Sequence, residues 1–173
     1  MGRQALMGIR LKVLLVLLVT CVLHQTLFAA LRWRGVGPQV LLLMAVAGAM
    51  VGEADRAAVI AFLCGLLTDL FLQTPLGLSA LAFSLVAVGV GSVQSSVIRS
   101  TWWIPPLTAF FASAAGIVLY GLLGAIVGQS HLVRPVLLLV AVAVGGVNAA
   151  LVPFMVKAMS WAMTDRAQSS FAR

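Results

Sequence analysis

Charge is what this 173-residue sequence has least of: 9% of its residues are Asp, Glu, Lys or Arg, and only Glu53, Asp55, Asp69 and Asp165 are acidic. A soluble domain needs roughly a quarter of its residues charged to coat its surface, so a water-exposed globule is excluded. Cysteine is also scarce. Cys21 and Cys64 both lie in apolar stretches without a partner at disulfide or zinc spacing, where a thiol behaves as a small hydrophobe. His24 and His131 stand alone, and without a second ligand at helical spacing neither a metal site nor a cofactor is expected. The chain lacks a phosphate-binding glycine loop, a nucleophile beside a plausible base, and paired carboxylates on one helix. Nothing in it calls for an enzyme.

What is abundant is apolar sequence: 62% of residues are hydrophobic and the mean hydropathy is +1.14. A lipid-facing surface removes the need for charge, and a helix rising 1.5 Å per residue crosses the roughly 30 Å hydrocarbon core in about 20 residues. The few charges divide the chain at about that interval. Val13 to Leu31 is an uncharged run of 19 residues behind Arg3, Arg10 and Lys12. It is too long for the core of a typical signal peptide, so an uncleaved first span is expected, although Ala29 and Ala30 would suit a cleavage site. Gly35 to Gly52 forms the second uncharged run. From Ala57 to Ile98 the only charge is Asp69, and these 42 residues suit two helices joined by a tight turn at Gln73, Thr74, Pro75 and Gly77. One further span fits between Arg99 and Arg134, and a last one from Pro135 to Val156.

The expected fold is therefore all-α: one transmembrane domain over residues 1–173, a polytopic bundle of about six helices near 11–31, 37–52, 56–72, 75–98, 102–127 and 134–156, with a polar tail at 164–173. Pro38, Pro75, Pro105 with Pro106, and Pro135 each fall at an expected helix start, where the missing amide hydrogen costs nothing. Gly37, Thr74, Thr101 and Asp55 are the matching cap candidates, and Pro153, inside a span, predicts a kink. With both termini cytoplasmic, Arg3, Arg10, Lys12, Arg56, Arg99, Lys157, Arg166 and Arg173 lie inside and Arg32, Arg34 and Arg134 outside. That distribution follows the positive-inside rule, and Trp33, Trp102, Trp103 and Trp161 fall at helix ends, where an indole ring favours the headgroup zone. The eleven basic residues are spread singly through loops and tails, which reads as topology beside an anionic membrane and implies no nucleic acid.

Few residues could carry chemistry. Asp69 falls about one turn from the outer end of the third helix. An ionisable group at that depth either faces the bundle interior or a wet cavity, or is satisfied near the interface by water or by the amides opening the fourth helix. Gly65, one turn earlier on the same face, would let a neighbouring backbone approach. Gly124 and Gly128 make a small-xxx-small pair, with Ser113, Gly116 and Tyr120 on nearly the same face. Such a stripe serves internal packing, association with another protein, or pairing with a second copy. Gly145, Gly146, Asn148 and Ala149 make a similar patch, from which Asn148 can hydrogen-bond across a helix interface. The fourth helix is rich in serine (Ser79, Ser84, Ser92, Ser95, Ser96), which either lines a path or bonds back to its own carbonyls.

The stretch from Phe62 to Phe83, FLCGLLTDLFLQTPLGLSALAF, resembles the central signature of the MreD family of the bacterial rod-shape system. Its elements are a Gly-Leu-Leu-x-Asp helix end, a short turn, and Pro-Leu-Gly opening the next helix, so the motif falls on Gly65, Asp69, Pro75 and Gly77. The chain differs from commoner versions at Thr68 and at Leu72-Gln73-Thr74. The resemblance implies a non-catalytic subunit of the bacterial plasma membrane, in contact with lipid, that binds an MreC-like protein. Through it the subunit would work with MreB-like filaments, a RodA-like polymerase and a class B penicillin-binding protein in lateral peptidoglycan synthesis. The family is similar in architecture to the substrate-binding membrane subunits of energy-coupling-factor vitamin transporters. The rival expectation is thus a ligand-binding subunit with Asp69 and the serines lining a cavity.

Overall fold

The computed structural model of the protein describes residues 2–30, 39–71, 75–96, 103–129 and 136–163. Six helices run through them: α1 Gly2–Ala30, α2 Val40–Val51, α3 Ala54–Phe71, α4 Leu78–Ser96, α5 Ile104–Ile126 and α6 Val136–Met163. Gly37, Pro38, Thr74, Thr101, Pro135, His131, Trp33, Trp102, the outer arginines, Arg99 and the polar tail lie outside the described residues.

α2 is the axis of the bundle. Its residues from Val40 to Met50 are all buried, and it packs against each of the other five helices. Those five follow one another around it in the order α3, α4, α5, α6, α1, with α3 against α4 and α5 against α6 as the closest pairs. A helix that is apolar all round belongs in a core or in lipid, and twelve residues reach only about 18 Å, short of the hydrocarbon thickness. Enclosure by protein is what lets so short a helix exist there. Gly8–Thr26, α5 and α6 are long and apolar enough to cross a membrane, and Val40–Val51 and Leu78–Val93 are shorter apolar helices.

Close approach is achieved with small residues, as membrane helix pairs require because lipid offers no hydrophobic drive to association. The buried stripe of α5 is Ala109, Ala112, Ser113, Gly116, Ile117, Gly121 and Gly124. A Cβ at Gly116 would meet Leu42 of α2 at 3.1 Å, and one at Gly145 of α6 would meet the Phe110 carbonyl oxygen of α5 at 2.9 Å. Met159 and Met163 of α6 fill the spaces beside Gly48 and Gly52.

Several helix ends differ from the sequence expectation. α1 begins at Gly2 because Arg3, Gln4, Ala5, Leu6 and Met7 are good helix formers, so the helix does not stop where lipid would. α6 continues through Pro153 to Met163, tied at its far end by the Met159 and Met163 contacts with α2. The lost backbone hydrogen bond at Pro153 is of the kind membrane helices tolerate. Pro105 sits at the start of α5 as expected, whereas Pro75 lies in the turn before α4 and not in its first helical turn. Asp55 does not cap α3. It lies within the first turn, a favourable place for a negative charge, while the preceding Glu53 carbonyl accepts from Ala57 N–H and its carboxylate meets Arg56 at 3.5 Å on the surface.

The α5–α6 contact separates two adjacent glycines. Gly145→Ala drives a methyl into the Phe110 backbone and should lower stability by about 1–3 kcal/mol, whereas Gly146, with nothing within 4 Å of an added Cβ, should accept alanine at no cost or a small gain. Thermal unfolding of the two purified variants in one detergent measures the contrast.

Candidate functional site

The α3–α4 hairpin concentrates the chemistry that the sequence holds. α3 buries a stripe of Ala57, Ile60, Ala61, Cys64, Gly65 and Asp69 at helical spacing. Gly65 and Asp69, one turn apart, both face the start of α4. At Gly65 an added Cβ would lie 2.5 Å from the Ala80 backbone nitrogen, so only glycine lets α4 cross this close. That approach brings Asp69 onto the opening turn of α4. One carboxylate oxygen accepts from Gly77 N–H at 2.8 Å and Ala80 N–H at 3.4 Å, and Ser79 N–H lies 3.1 Å from both oxygens.

These are the orphan donors of a helix start. Asp69 performs the N-cap function for α4 from a neighbouring helix, and its carboxyl oxygens meet the positive end of the α4 dipole. Its side chain is 2% exposed, a burial tolerable for a carboxylate only because its oxygens are hydrogen-bonded. Pro75 and Gly77 complete the unit. Leu78 N–H reaches the Pro75 carbonyl at 3.4 Å across a turn whose third residue, Gly77, has φ +98°. Type II turns reserve that position for glycine. Gly77 O then accepts from Leu81 N–H at 2.9 Å, the first bond of α4.

A second polar tie joins three helices. Asn148 of α6 is fully buried, and its Nδ2 donates to Ser113 Oγ of α5 at 2.9 Å and to the Gln39 carbonyl before α2 at 3.4 Å. The glycine pair of α5 divides. Gly124 is buried in the helix, but Gly128 lies beyond its end at φ +90°. Gly128 N–H donates to Ala125 O at 3.1 Å and Gln129 N–H to Gly124 O at 2.8 Å, the Schellman pattern that ends a helix on a left-handed glycine. Thus Gly65, Asp69, Pro75 and Gly77 come together, Ser113 and Asn148 come together elsewhere, and Gly128 is a terminator.

Two serines of α4 bond back along their own helix: Ser84 Oγ donates to Ala80 O at 2.7 Å, and also lies 3.5 Å from Ala58 O of α3, while Ser92 Oγ donates to Val88 O at 2.8 Å. Thr68 does the same on α3, donating to Cys64 O at 2.9 Å. Asp69 is turned onto α4, and α2 fills the bundle centre. Sequence reasoning missed one contact, Lys12 Nζ lying 5.6 Å from the Trp161 ring. The two residues are separated by nearly the whole chain, and only the packing of α1 on α6 brings them together.

A family model described as rod shape-determining protein MreD matches residues 7–161. The chain belongs to the MreD family. Neither a curated protein nor a solved structure matches it. Membership in the MreD family carries a role in rod-shape determination. Its apolar helices make it a membrane protein. The MreD-like motif residues are those of the capped α3–α4 hairpin.

Removing the cap should be costly in a graded way. Asp69→Ala leaves the buried Ser79 and Ala80 amides and the part-buried Gly77 amide without their acceptor and is expected to lower stability by roughly 2–4 kcal/mol, above the ordinary cap loss of about 0.5–2. Asp69→Asn keeps one oxygen and should cost about half as much; equilibrium unfolding in detergent reads the order. For the second tie, a double-mutant cycle between Ser113→Ala and Asn148→Ala should give a coupling of about 0.6–1.7 kcal/mol, and a coupling near zero would mean the bond carries no energy.

Proposed function

We propose that this MreD-family protein is a non-catalytic scaffold subunit of the bacterial cell-elongation complex, a multi-pass protein of the plasma membrane that binds an MreC-like partner and so supports lateral peptidoglycan synthesis. The observation that carries the reading is the family match over residues 7–161. The chain's economy supports it: the described residues are nearly all helix, so binding must use lateral helix faces and short connections. MreB-like filaments, a RodA-like polymerase and a class B penicillin-binding protein are engaged through the partner.

Both termini lie on the cytoplasmic side in this reading. Lys12 faces Trp161 and Met163 packs at Gly52, so Lys12, Arg56 and Lys157 gather towards one end of the bundle, in keeping with the positive-inside rule. In the same reading Asp69 is a positioning residue. It holds α3 and α4 in the geometry on which the partner-binding surface depends, and it touches no partner itself.

Affinity recovery from native membranes tests this. The tagged wild type should bring down the MreC-like protein with wall polymerases. Asp69→Ala at matched expression should lose most of it, and Asp69→Asn should fall between. Recovery of a transport ATPase without wall enzymes would replace the scaffold with a transporter subunit.

A further inference from the structure

We draw no further inference here: the strongest candidate, the apolar groove between α4 and α5 lined by Leu85, Val90, Phe111 and Leu122, carries nothing because nothing in the structure shows what covers it.

Discussion

A twelve-residue helix cannot cross a bilayer, and the rest of the bundle follows from accommodating one. α2 covers about 18 Å, and in lipid its ends would strand backbone groups that no water could satisfy. Enclosed by five helices it faces protein instead. Enclosure has a geometric consequence: each neighbour must approach closely enough to leave no lipid-accessible gap, and small residues are what permit it. Gly48 beside Met159 and Gly116 beside Leu42 mark where that requirement falls.

Helix starts make the second demand, since each leaves unpaired N–H groups in surroundings that cannot hydrate them. The α3–α4 hairpin answers with Asp69, which accepts from the amides that open α4. The carboxylate, the glycine that admits it and the turn that aims the amides form one device, because Asp69 reaches Gly77, Ser79 and Ala80 only where Gly65 lets α4 close in. Asn148 reaches the carbonyl preceding α2 and the Ser113 hydroxyl on α5. Both ties link a side chain to the backbone of another element. They therefore fix helix position along its axis, which apolar contacts alone specify weakly.

Helix number and type were legible because charges and prolines punctuate long apolar runs at membrane intervals. Gly65 beside Asp69 was legible too, since a four-residue spacing puts both on one face. What Asp69 does was not, because a cavity-lining carboxylate and one capping the next helix share the same sequence position, and only the path of α4 decides between them. α2 was hidden for a related reason. A helix hydrophobic on every side carries no periodic signal of which face meets lipid, so an enclosed axis and an ordinary span read alike. Gly128 was misread because the spacing Gly124-x-x-x-Gly128 is the same whether the second glycine packs or terminates. Helix length settles that, and α5 ends at Ile126.

These features bear on the scaffold reading, in which a chain with few charged residues must offer other proteins a surface of fixed shape. In lipid, an approaching helix gains nothing from leaving water, so specificity rests on shape held constant over time. Two hairpins, each tied by a buried polar contact, leave between them an apolar groove lined by α4 and α5. The locks lie away from that surface: Asp69 faces the start of α4 and Asn148 the bundle interior. A slip of α4 along α3 by a fraction of a turn would move Leu85 and Gly89 relative to Phe111 and Ala115, so the cap that holds α4 also sets the shape of the groove between α4 and α5. Through α4, a buried cap thus fixes the shape of a surface that it does not itself reach.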